Sequence, residues 1–144
     1  MKKRVIILLI IFSVILVSCD NKIYHWDFEQ SVTCVKEIKI IDTKDRVMES
    51  TDYTLIKELD IEEYEEMYED IKLLDMARYG PNLATPCGIC VLIVFNNGEY
   101  DVIARKESCH YRYNEDGIIS AYNSWLECDD TQYDALINKY STPQ

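Results

Sequence analysis

Cysteine is the residue type best placed to do chemistry in this 144-residue chain, which carries six: Cys19, Cys34, Cys87, Cys90, Cys109 and Cys128. Cys87-Gly88-Ile89-Cys90 sets two thiols three positions apart, a spacing that suits disulfide exchange or metal binding. Cys109, His110 and Cys128 would complete a zinc set with that pair, since four thiolates, or three with an imidazole, close a tetrahedral site. The intervals weaken that reading, because 18 residues separate Cys90 from Cys109 and again Cys109 from Cys128, with no second closely spaced ligand pair. No cofactor is expected.

The Cys87 to Cys90 tetrad resembles the redox motif of the thioredoxin family, and the resemblance implies thiol exchange at Cys87 and Cys90. It covers four residues without their context. A reactive thiol of that kind draws its low pKa from a helix N-terminus, whereas here the motif follows the Pro86 loop and runs into an apolar, β-rich stretch. A structural disulfide or a core thiol is the simpler reading. Other constellations fail sooner. A calcium loop over Arg112 to Asn123 would put Arg112 at the first ligand position. Only His25 and His110 are available as imidazoles, and no nucleophile elbow or phosphate-binding glycine loop accompanies them. Acidic pairs such as Glu62 and Glu66 read as a solvated helix face.

The first residues have a different character. Lys2, Lys3 and Arg4 precede an apolar run from Val5 to Val17, broken by Ser13 and followed by Ser18-Cys19. At 1.5 Å per residue such a run spans roughly 20 Å as a helix, short of a hydrocarbon core of about 30 Å, so an export signal is favoured over a permanent span. Leu16-Val17-Ser18-Cys19 resembles the lipobox of bacterial lipoproteins. The resemblance implies that residues 1–18 are a signal peptide and that Cys19 carries diacylglycerol and begins the mature chain. It further implies a domain facing outside the cytoplasm, tied to the cell membrane by lipid. Two or three acyl chains hold a protein stably where one holds it marginally. Asp20 resembles an inner-membrane retention signal of diderm bacteria and has no such meaning in a monoderm.

Removing residues 1–18 takes away Lys2, Lys3 and Arg4 and leaves 12 basic against 26 acidic residues, a formal charge of −14 compared with −11 for the whole chain. Nucleic acid is thereby excluded as a partner, and a basic protein surface is the partner class such a charge attracts. Residues 19–30 are expected to form the lipidated cysteine and a tether. Tyr24, Trp26 and Phe28 have two alternative places there: at the membrane interface, or packed on the domain as a short strand of period 2.

Residues 31–144 read as one α+β domain. Ser31 to Asp42 is a strand with Val32, Cys34, Ile38 and Ile40 on one face and Val35 and Ile41 on the other. Lys44 to Arg46 suit a turn, and Val47 to Leu59 gives one broken or two short strands in which Tyr53, Leu55 and Leu59 share a parity. Asp60 and Glu63 mark a helix start, and Gly80-Pro81 a stop. Between them Ile61, Tyr64, Met67, Tyr68, Ile71 and Leu74 recur as one buried stripe. Asn97-Gly98 predicts a two-residue hairpin with Phe95 opposite Tyr100 and Ile93 opposite Val102. Ser108 to Tyr113 and Ile118 to Trp125, joined by a turn at Asn114 to Gly117, extend it into a meander of about four strands. Tyr111, Tyr113 and Tyr122 on that meander are candidates for an exposed aromatic patch. Asp129 caps a last helix with Tyr133, Leu136, Ile137 and Tyr140 inward. The expected fold is an antiparallel sheet, meander plus N-terminal strands, covered by two amphipathic helices.

In an oxidising compartment Cys34, Cys87, Cys90, Cys109 and Cys128 are first of all disulfide candidates, and their odd number leaves one thiol over. A bridge from the Cys87-Cys90 segment to Cys109 or Cys128 fits the meander. Three functions compete: a non-catalytic, membrane-anchored binding module, a thiol enzyme or sensor using Cys87 and Cys90, and a structural zinc domain.

Overall fold

The computed structural model describes residues 23–43, 53–78, 88–105, 110–114, 116, 119–122 and 126–142. The lipobox with Cys19, the turn at Lys44 to Arg46, Gly80-Pro81, Cys87, Cys109 and Trp125 lie outside the described residues.

The fold mixes helix with antiparallel sheet. Strands β1 (Val35–Asp42), β2 (Thr54–Glu58), β4 (Ile89–Phe95), β5 (Tyr100–Ala104), β6 (His110–Tyr113) and β7 (Ile119–Tyr122) form one sheet in the order β2-β1-β4-β5-β6-β7. β3 (Met76–Arg78) and β8 (Leu126–Cys128) pair separately. Helices α1 (Tyr64–Lys72) and α2 (Asp130–Ser141) complete the domain.

Alternation along β4 explains why both faces of the sheet are apolar. Val91, Ile93 and Phe95 join a cluster with Tyr64, Met67, Tyr68 and Ile71 of α1 and Tyr133, Leu136, Ile137 and Tyr140 of α2. Cys90 and Leu92 point the other way and pack with Ile41, Val102, Ala104 and Tyr113. Tyr133 ties α2 to the sheet, its hydroxyl lying 2.9 Å from the carbonyls of both Ile89 and Ile103. Between the helices, Asp70 accepts from Lys139 at 2.6 Å and from the Tyr140 hydroxyl at 2.8 Å.

Both helix starts match the sequence reading. The Glu63 carboxylate accepts the Asp60 N–H at 2.9 Å, and Asp129 accepts the Gln132 N–H at 3.0 Å. The first helix is shorter at both ends than its periodicity suggests. Ile61 sits in a 3-10 turn and is 73% exposed, outside the stripe. The other end stops at Lys72 because Met76 is claimed by β8 and by Tyr24, and long-range pairing overrides the helical pattern. Gln132 likewise finds a partner the sequence does not reveal, bonding the Asp75 N–H at 2.7 Å and the Asp75 carboxylate at 2.9 Å.

Three strand expectations change. Ser31 begins a 3-10 turn over Val32–Cys34, so the strand starts at Val35 and Cys34 is exposed. A bulge between Val35 and Glu37 then turns Val35 onto the same cluster as Ile38 and Ile40. Of Tyr53, Leu55 and Leu59, only Leu59 leaves the expected face: Leu55 pairs with Ile41, in the cluster where Tyr53 packs, whereas Leu59, beyond the register shift at Ile40/Ile41, is buried in the helix-side cluster. Tyr113 is buried and stacks on Tyr100 at 4.6 Å, so it contributes to no exposed patch.

The hairpin carries the most consequential difference. Its loop has three residues, Asn96 to Gly98. The Gly98 N–H donates to Phe95 O at 3.1 Å, the Phe95 N–H donates to Glu99 O at 2.8 Å, and Gly98 takes φ +88°. This left-handed glycine after a tight turn is the G1-bulge form of the hairpin. Val94 therefore pairs with Tyr100, Ile93 with Asp101 and Leu92 with Val102, one position from the two-residue expectation. A one-residue slip exchanges the faces of a strand, and here it turns Asp101 inward.

Candidate functional site

Asp101 is fully buried, and the pairing of β5 with β6 sets Arg112 directly opposite. Arg112 Nε and Nη2 donate to the two carboxylate oxygens of Asp101 at 2.8 and 3.0 Å, a bidentate fork. The third arm, Nη1, reaches Glu29 at 2.6 Å, and the guanidinium carbon lies 5.0 Å from the centre of the Trp26 ring. Burial pushes the Asp101 carboxyl above its ordinary pKa, with Arg112 opposing part of that rise. For Arg112 burial works against the charge, and Asp101 and Glu29 more than offset it, so the guanidinium stays protonated.

Residues 23–30 bring Trp26 and Glu29 to this pair. Of the two places open to Tyr24, Trp26 and Phe28, the structure has packing on the domain. Tyr24 and Met76 exchange backbone hydrogen bonds at 2.9 and 3.1 Å, Trp26 is 4% exposed, and Phe28 stacks on Tyr68 at 3.9 Å. Period 2 is right in that alternate aromatic residues face the core, although beyond the Tyr24 bridge the segment is not a regular strand. His25 Nδ1 lies 3.2 Å from the Leu74 carbonyl oxygen, and Gln30 donates to Glu99 at 2.6 Å.

Between this segment and α1 lies a groove of about 300 Å³. Phe28 and Tyr68 supply its aromatic surface, Asp27, Glu29, Glu65 and Glu69 its carboxylates, and Lys72 a single ammonium, bonded to Glu69 at 2.6 Å. The Tyr68 side chain is buried and its hydroxyl has no hydrogen-bond partner among the described residues. Burial, then the Asp101 charge, drives the Tyr68 phenol far above its ordinary pKa, so it stays neutral. An aromatic surface ringed by carboxylates suits a cation, above all a Lys or Arg side chain.

The three described cysteines, Cys34, Cys90 and Cys128, lie apart from one another. Cys34 and Cys128 are free thiols, one exposed and the other buried in the helix-side cluster with its sulfur 3.9 Å from Ala104 O. Cys90 is fully buried on the opposite face, its thiol donating to Gly88 O at 3.5 Å. Among the described residues no group of three or more His, Cys, Asp or Glu is arranged to hold a metal ion. Among the same residues no helix is long and apolar enough to cross a membrane. Asp101 and Arg112 escape sequence reasoning, yet a signal exists: each is a lone charge inside an otherwise apolar or aromatic strand segment, and the two signs are opposite on successive strands. No family model matches the chain, nor does any curated protein or solved structure.

Proposed function

We propose that the protein is a lipid-anchored, extracytoplasmic binding module that receives a basic segment of a protein partner in the groove between residues 27–32 and α1. Cys19 is the acylated residue, and residues 1–18 are removed on export. Both helices close one face of the sheet and form the scaffold for the groove. The observation that carries the reading is the half-buried Phe28 ring, stacked on the buried Tyr68 and bordered by Asp27, Glu65 and Glu69, which sets an aromatic surface beside carboxylates for one cation. A net charge of −14 on the mature chain would steer basic partners toward it.

The groove is tested by titrating the full chain with a fluorescent peptide of mixed Lys and Arg. Binding should weaken at least about tenfold between roughly 50 and 300 mM salt, because screening shortens the reach of the carboxylates. It should be lost in the Glu65→Lys, Glu69→Lys double variant and kept in a Glu127→Lys, Asp130→Lys control. Equal affinity of the two double variants would remove the groove from the account.

A further inference from the structure

We propose that residues 23–30 form a releasable strap latched at Arg112, which opens as a unit while the sheet beneath it stays folded. Among the described residues the strap joins the domain backbone at an isolated bridge, Tyr24 with Met76, and side chains add to its hold. Trp26 and Glu29 converge on one guanidinium, and Phe28 lies on Tyr68.

Two features make the open form physically reasonable. Asp101 and Arg112 satisfy one another within the sheet through Nε and Nη2, so departure of the strap leaves neither buried charge without its counter-charge. Tyr68, whose hydroxyl has no partner among the described residues, becomes reachable by solvent once Phe28 leaves its ring. Burial of Trp26 favours the docked form, so the open form is the minor state. Glu29 is 68% exposed, and added salt therefore loosens the latch.

Strap release also has a geometric consequence, which rests on the lipid anchor at Cys19. With the strap docked, Cys19 and Ile23 are four residue steps apart, a reach of roughly 14 Å; freeing residues 23–30 adds roughly 28 Å. One protein would then have a membrane-proximal and an extended position.

Amide hydrogen exchange on the full chain, read by NMR, tests the latch. The Tyr24 and Met76 amides, which close the bridge, should exchange at least about tenfold faster than the Ile93 amide of β4. Glu29→Gln, an exposed substitution that leaves the fold intact, should accelerate Tyr24 and Met76 a further threefold or more without changing Ile93. Tyr24 is five residues from the altered side chain, so its response reports a strap that opens as a whole. If Tyr24 is unmoved by Glu29→Gln, or Ile93 accelerates in step with it, the proposal is overturned. No acyl group enters this readout, so its failure is separate from failure of the anchor.

Discussion

Arg112 lies across from Asp101 on the adjacent strand, and the two are the only charged side chains buried among the described residues. An ion pair removed from water loses hydration that its mutual attraction only partly returns, so its presence does not by itself stabilise the fold. What the pair does is hold a fork in place for Glu29 and Trp26.

Removing one partner and removing both should therefore have opposite consequences. Arg112→Met leaves the Asp101 carboxyl buried without its cation, and urea unfolding near neutral pH should show a loss of about 3 to 5 kcal/mol. The double variant Asp101→Leu, Arg112→Met fills the space with apolar atoms and should recover most of that loss. A double variant as unstable as the single would mean that packing, and not charge, is at stake.

Asp101 also leaves a pH signature. Its folded pKa lies above the ordinary 3.8, chiefly through burial. The native state thus holds this proton to higher pH than the unfolded chain does. The contribution of Asp101 is greatest below the unfolded pKa and is lost as pH rises through the folded one. A carboxyl-carbon NMR titration should place the Asp101 midpoint above that of an exposed aspartate, and a midpoint at or below 3.8 would contradict the reading.

Two buried tyrosines should respond oppositely to loss of the hydroxyl. Tyr68→Phe deletes a polar group that has no partner and should leave stability unchanged or raise it by about 1 kcal/mol. Tyr133→Phe strips a donor from the Ile89 and Ile103 carbonyls and should cost about 1 to 3 kcal/mol. Thermal or urea unfolding of the two variants side by side is sufficient, and equal shifts would show that the hydroxyls are not what distinguishes them.

Much of the scaffold is legible in the residues alone. Asp60 with Glu63, and Asp129 with Gln132, mark helix starts that local geometry enforces, and the apolar run from Cys90 to Phe95 is a strand wherever it is placed. Structure that depends on distant partners is not legible. Lys72 ends α1 because Met76 has β8 and Tyr24 to pair with, and nothing near Lys72 announces that. The site is hidden for a sharper reason. Asn97-Gly98 suits two hairpin forms that differ by one residue, and only the three-residue loop turns Asp101 toward Arg112. Trp26 is legible as an aromatic residue at period 2, and period 2 alone does not distinguish bilayer from core.

Intact-mass analysis of protein extracted from bacterial membranes tests the central claim most directly. The account predicts a chain that begins at Cys19, lacks the 18 preceding residues, and carries the mass of a diacylglycerol with or without a third acyl chain. A full-length, unmodified chain starting at Met1 and recovered in the soluble fraction would contradict it.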